Sequence, residues 1–116
     1  MIMLLLIALA TPARVPAKAP VKAPVVVSAL TTSSLIAQCR GKDRDPTANF
    51  CTGYILGAFD TLSLTRQICP SPRRASNIEV IAAARKYLRN HADESDVAPS
   101  FLVRDALRAA FPCKRG

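Results

Sequence analysis

The sequence predicts an all-α fold, a small four-helix up-down bundle stapled by two disulfides. Apolar residues recur at helical spacing from residue 31 onward, and proline, glycine and capping residues separate four such segments. Four cysteines lie near the segment ends. The length of 116 residues suits one small domain, and chains of this size commonly need a staple in addition to a hydrophobic core.

Two segments precede the predicted helices. Residues 1–10, MIMLLLIALA, contain an apolar run of about nine residues, whereas a bilayer span needs ~20. Ala8 and Ala10 have the spacing of a cleavage site, so we predict a signal peptide at 1–10, although no basic residue precedes the run. A disordered apolar terminus is the alternative.

Residues 11–32 have a proline at every fourth position from Pro12 to Pro24, which predicts an extended tether. Residues 33–116 are predicted to form the folded domain.

The first two helices are predicted from a cap and from apolar spacing. The stretch TTSSLIAQC offers Thr and Ser as N-cap residues, and its apolar turn ends at Cys39. Gly41 and Pro46 interrupt the chain after it. The second helix is predicted over about 47–65, where apolar residues form two adjacent stripes: Phe50, Cys51, Tyr54, Ile55, Ala58, Phe59 and Leu62.

The third and fourth helices have clearer start signals. Ser76 and Glu79 have the spacing of a capping box, and this helix is predicted to end near Asn90. Pro99 suits the first position of the fourth helix, which Pro112 ends. The apolar positions recur every three or four residues in both: Ile78, Ile81, Ala82 and Leu88, then Val103, Leu107, Ala110 and Phe111.

The pairing of the cysteines follows from the predicted order of the helices. In an up-down bundle Cys39 and Cys51 lie at one end, and Cys69 and Cys113 lie at the other. A Cys51–Cys69 bond would have to span the second helix, which is ~25 Å long, whereas the Cα atoms of a disulfide lie within about 7 Å. We predict the bonds Cys39–Cys51 and Cys69–Cys113, which persist in an oxidising compartment. Four buried free thiols are the alternative.

Charge and motif content narrow the classes of function. The net charge is +8, and from Ser33 onward thirteen basic and eight acidic residues leave +5 with both signs interspersed. A basic surface suits an acidic protein, an anionic lipid or a nucleic acid. We find no paired carboxylates at catalytic spacing, no C-x-x-C motif and no phosphate loop, so we predict no enzyme and no cofactor. The cysteines lack zinc spacing, and stacking aromatics for nucleic acid are missing.

Spaced motifs occur in order between Leu35 and Cys113. They are C-x-G-Y-I-x-G-x-x-D at 51–60, Cys-Pro at 69–70, K-Y-L at 86–88 and A-L-R-x-A-F-P-C at 106–113. This pattern resembles the Rap/Tai family of immunity proteins, partners of type VI secretion effectors. The resemblance implies a periplasmic, helical, disulfide-bonded protein that binds and neutralises a peptidoglycan-cleaving amidase toxin. Where family members usually have a His-Pro-like turn, this chain has His91-Ala92 and an acidic run.

Two sets of residues are candidates for the functional surface. One set is structural. From it we expect Gly53 and Gly57 to admit another helix backbone, with a ligand pocket as the alternative. We expect Asp60 to bind a helix end or an arginine, Arg66 or Arg73. Its members are Gly53, Tyr54, Gly57, Asp60, Phe111 and Pro112. The other set consists of candidate toxin contacts, because arginine is favoured at interface hot spots; a solvated face is the alternative. These are Arg73, Arg74, Arg85, Lys86, Arg89 and His91.

Two function hypotheses follow. The preferred one is a periplasmic immunity protein that acts by binding alone, with a cognate amidase toxin as partner, no nucleic acid and no stable membrane span. Homologues suggest a homodimer formed through an apolar helix face. The alternative is a small periplasmic stress-response or chaperone-like helical protein. Its eight carboxylates and one histidine would give it little to titrate at acid pH.

Overall fold

The computed structural model describes residues 10–12, 24–94 and 96–114. The predicted signal peptide, except for Ala10, and residues 13–23 of the predicted tether lie outside these ranges. The described residues form four helices and no strand: α1 (Thr32–Gln38), α2 (Phe50–Leu64), α3 (Asn77–Asn90) and α4 (Pro99–Ala110). The all-α class is confirmed. None of these helices has the length and apolarity that a membrane crossing needs.

Side-chain caps fix where the first two helices begin. Thr31 accepts a hydrogen bond from the Ser34 amide, so α1 begins at Thr32, one residue before the predicted start of the folded domain at Ser33. Asn49 and Thr52 form a capping box at the start of α2, which the sequence interpretation did not identify. The second helix therefore begins about three residues later than predicted, because Asn49 satisfies the free amides of the first turn.

The later helices begin and end close to their predicted positions. Ser76 and Glu79 exchange both bonds of the predicted capping box. Pro99 occupies the first turn of α4, and α3 ends at Asn90. These signals are local, so they could be recognised without knowledge of the tertiary packing.

The short helix α1 closes one end of a bundle made by α2, α3 and α4. Cys39 at its C-terminus is bonded to Cys51 in the first turn of α2, with the Cα atoms 5.0 Å apart. Thr32 at its start donates a hydrogen bond to the carbonyl oxygen of Val97, just before α4. Both ends of α1, which is ~10 Å long, therefore lie at the same end of the three longer helices.

The second disulfide joins the opposite end. Cys69 after α2 is bonded to Cys113 after α4, with the Cα atoms 4.8 Å apart. Both predicted pairings are confirmed. Between the two ends lies one core of apolar side chains, with the rings of Phe59 and Phe111 edge to face at 5.6 Å. Its largest fully buried members are Leu35, Ile55, Ile68, Ile81, Leu88, Leu102 and Leu107.

Helix α2 ends in a left-handed residue that is not glycine. Arg66 has φ 58°. Its amide donates to the carbonyl oxygen of Ser63, and the amide of Gln67 donates to the carbonyl oxygen of Leu62 at 2.9 Å. These are the two bonds of a Schellman motif, which normally has glycine at the left-handed position. A Cβ in this conformation costs roughly 1–2 kcal/mol per residue.

The substitution Arg66→Gly is expected to stabilise the protein by about 0.5–1 kcal/mol, because it removes this strain. Urea denaturation of the oxidised protein measures the change. Arg66→Ala is the control, since it removes the charge but keeps the Cβ. Equal stabilisation by both variants would show that charge, and not backbone conformation, is the cause.

Candidate functional site

The candidate toxin contacts lie at two opposite ends of the bundle. Lys86, Arg89 and His91 belong to the C-terminal turn of α3 and its cap, beside α1 and the loop that follows it. Arg73 and Arg74 are exposed in the loop between α2 and α3, near the Cys69–Cys113 end. We name the first surface the loop end: it comprises residues 40–48, 86–91 and the described residues of 92–97.

The structure places Arg85 inside the fold and not on the surface that the sequence suggested. Only 3% of Arg85 is exposed. Its guanidinium donates to the carbonyl oxygen of Lys42 at 2.6 Å and to that of Asp45 at 3.4 Å. Arg85 therefore holds the loop between α1 and α2 against α3. Its spacing from Ile81 and Leu88, both buried, is the sequence signal that could have identified this position.

Two carboxylates fasten the same loop. The Arg89 guanidinium donates to both carboxylate oxygens of Asp43, and this hydrogen bonding lowers the Asp43 pKa. The Thr47 hydroxyl and amide donate to Asp45 Oδ1 at 2.6 and 2.9 Å and lower the pKa of that carboxyl. Both groups consequently remain charged at pH values where an ordinary aspartate begins to take up a proton.

His91 is fixed against the last turn of α3. Its ring stacks on the Tyr87 ring with the centroids 3.7 Å apart and an angle of 12°. Its Nδ1 lies 2.8 Å from the Tyr87 carbonyl oxygen, which can only accept, so Nδ1 carries the proton. Burial raises the Tyr87 pKa, and the carboxylates of Asp105 and Glu94 raise it further. The two stacked rings present a flat surface at the end of α3.

The charges around this pair are mixed. At the loop end, five cationic side chains and three acidic ones are exposed: Arg40, Lys42, Arg44, Lys86 and Arg89, with Asp93, Glu94 and Asp96. The sequence interpretation missed the contribution of residues 40–48. The sequence signal for this surface is a charged segment, residues 40–48, between two cysteines that are bonded to each other, Cys39 and Cys51.

The glycines of α2 do not support the expected close contact between helices. A Cβ at Gly53 or Gly57 would have no described atom within 4 Å, and both residues are exposed. Asp60 is exposed as well, and among the described residues it forms no ion pair with Arg66 or Arg73. Gly53, Gly57 and Asp60 face outward because the core lies on the other side of α2, around Cys51 and Ile55.

The remaining residues of the structural set lie where they support the core. Tyr54 is half-buried and packs against the core, and burial raises the pKa of its phenol. Phe111 is buried, and its carbonyl oxygen accepts from the Cys69 amide at 3.0 Å. Pro112 separates Phe111 from the disulfide at Cys113.

The described residues define a small, disulfide-stapled helical protein. The described residues contain no cluster of side chains suited to a metal ion. The chain matches the family model of the Rap1a immunity proteins over residues 31–113, a span that contains all four helices and both disulfides. It therefore belongs to this family, which indicates an immunity function against a secreted toxin. No match was found among curated proteins or among solved structures.

Proposed function

We propose that this chain is a periplasmic immunity protein that binds and neutralises a peptidoglycan-cleaving amidase toxin of type VI secretion. The family match over residues 31–113 carries the proposal, since it supplies the immunity function. The two disulfides support an oxidising compartment, of which the periplasm is the one where peptidoglycan is exposed to a toxin. The amidase and the secretion system rest on the spaced motifs at 51–60 and 106–113.

The loop end is the proposed contact surface. Its loop at 40–48 is bordered by the Cys39–Cys51 disulfide and fastened from within by Arg85 and Arg89. A segment that is already ordered loses little conformational entropy on association, so more of the contact energy appears as affinity. Binding would exclude peptidoglycan from the toxin's cleft, and the immunity protein itself would perform no chemistry.

The test is a titration of the oxidised protein against the protein encoded by the adjacent gene, which the proposal expects to be an amidase. Calorimetry gives the Kd, and amidase activity on purified peptidoglycan gives the inhibition. We expect a Kd in the nanomolar range and full inhibition at a ratio of about 1:1. A neighbouring amidase that neither binds nor loses activity would refute the proposal.

Matched charge reversals locate the surface. Arg44→Glu with Lys86→Glu is expected to weaken the Kd by at least about tenfold, since reversed charges would meet like charges on a partner that complements the wild-type surface. Arg73→Glu with Arg74→Glu makes the same change in net charge at the opposite end and is expected to leave the Kd within about threefold. The reverse order of effects would move the contact surface to the Cys69–Cys113 end.

A further inference from the structure

A small cavity lies between the C-terminal end of α1 and the last turns of α3, and the functions described so far do not use it. Its volume is about 210 Å³, below the ~300–1,000 Å³ that is typical of sites for organic ligands. Three arginines belong to its lining, together with a glycine and apolar side chains. These residues include Arg40, Arg85, Arg89, Gly41, Ile36 and Leu88. The size and the charge of the cavity suit a small anion.

Arg85 has hydrogen-bond donors that the protein leaves unsatisfied, although the residue is only 3% exposed. Its Nη1 donates to the carbonyl oxygens of Lys42 and Asp45. Its Nε is buried and has no partner among the described residues, and its Nη2 forms no hydrogen bond with them either. Buried polar groups are almost always hydrogen-bonded, so these two donors call for an acceptor. Nε and Nη2 lie side by side on the planar guanidinium, where they can bind two oxygens of one anion.

The charge of Arg85 has no carboxylate of its own. Asp43 and Asp45 lie near enough for Arg85 to contribute to the lowering of both their pKa values. Asp43, however, is paired with Arg89 through both oxygens, and Asp45 accepts from Thr47. In the part of the chain that the structure describes, neither carboxylate forms an ion pair with Arg85.

Arg40 adds a second positive charge at the same cavity. It is exposed and forms no ion pair with any described residue. The surrounding segment is basic as well, because residues 40–48 together with Arg85, Lys86 and Arg89 contain six cations and two carboxylates. Two cations without carboxylate partners attract a doubly charged anion more strongly than a singly charged one.

Water alone does not account for this arrangement. A water molecule would accept hydrogen bonds from Arg85, but it would leave the charge of the buried guanidinium uncompensated. An oxyanion supplies both the acceptors and the charge, and the arginine fork matches the spacing of its oxygens.

We infer that this cavity binds a small, doubly charged oxyanion of the sulfate or phosphate type, held by Nε and Nη2 of Arg85 with Arg40 beside it. Because Arg85 also anchors the loop at 40–48, the bound anion would help to order that loop. The inference does not depend on the proposed function, since the site requires no toxin.

A titration of the oxidised protein with sodium sulfate tests the inference by heteronuclear NMR, with chloride keeping the ionic strength constant. The Nε–H signal of Arg85 and the amide signal of Gly41 are expected to shift and to saturate with a Kd of about 1 mM or lower. Acetate, which carries one charge, is expected to bind at least about tenfold more weakly. Shifts that rise linearly with sulfate, or acetate binding as tight as that of sulfate, would overturn the inference.

Arg40→Gln and Arg44→Gln form a matched pair of variants. Both residues are exposed and both substitutions remove one positive charge from the same loop, but Arg40 lines the cavity and Arg44 does not. Arg85 is left unchanged, because its replacement is expected to loosen the loop. We expect Arg40→Gln to weaken the Kd for sulfate at least about fivefold and Arg44→Gln to leave it within about twofold. Equal weakening by both variants would assign the effect to the overall charge and contradict the inference.

Inorganic phosphate and glycerol phosphate distinguish a free ion from a phosphoryl group on a larger molecule. Similar affinities for the two would show that the cavity admits a phosphoryl group, and much tighter binding of inorganic phosphate would assign the site to the free ion; both results support an oxyanion site. If sulfate and both phosphates fail to bind, the inference is wrong while the proposed function stands. A neighbouring amidase that does not bind refutes the proposed function and leaves this inference intact.

Discussion

Replacing Cys69 and Cys113 by serine is expected to lower the free energy of unfolding by about 4 kcal/mol. The bond has a sequence separation of 44 residues, and a cross-link of that length restricts the unfolded chain strongly. A total stability of ~5–15 kcal/mol is typical of small domains, so the loss is a large fraction of it. Urea denaturation of the oxidised proteins measures the difference. A change below about 1 kcal/mol would contradict this account.

The other disulfide provides the comparison. Cys39–Cys51 has a sequence separation of 12, and its removal is expected to cost about 3 kcal/mol. Because it borders the loop end, however, its removal is expected to weaken toxin binding more than the removal of Cys69–Cys113 does, once both variants are assayed under conditions where they are folded. A comparison of the two variants therefore distinguishes a loss of overall stability from a loss of order in the proposed contact surface.

Replacing Arg85 by alanine is expected to cost about 2–4 kcal/mol of stability. A hydrogen bond to a charged group contributes roughly 1.5–3 kcal/mol, and the buried stem adds packing that alanine loses. The carbonyl oxygens of Lys42 and Asp45 would lose their partner, so the loop at 40–48 should loosen. Urea denaturation gives the stability, and hydrogen exchange of the loop amides reports its order.

Lys86→Ala is the control for Arg85→Ala. Lys86 is the next residue along α3 but is exposed, so its removal is expected to change the stability by no more than about 0.5 kcal/mol. If the two variants were equally stable and the loop amides exchanged at the same rate in both, Arg85 would not anchor the loop.

The parts of the fold that the sequence could predict are those with local signals. Ser76 with Glu79 and Pro99 mark helix starts by their own spacing, and they lie where predicted. The cysteine pairing was predictable because an up-down order of helices places Cys39 and Cys51 at one end and Cys69 and Cys113 at the other.

The candidate surface was harder to predict because it depends on which face of each helix is turned inward. Helix α2 is apolar on most sides, so the spacing of Gly53 and Gly57 did not reveal that they face outward. The charge of Arg85 favours a surface position, whereas its place on α3 between the buried Ile81 and Leu88 turns it inward. The contact of residues 42–45 with α3 spans some forty positions of sequence, and no local pattern encodes it.

The measurement that tests the central claim most directly is hydrogen exchange of the wild-type protein, alone and saturated with the adjacent amidase. The claim is that the loop end forms the main contact with the toxin. We predict slower exchange at residues 40–48 and 86–97 in the complex, and unchanged exchange at residues 70–75. Protection confined to residues 66–75 and 108–114, at the Cys69–Cys113 end, would contradict it.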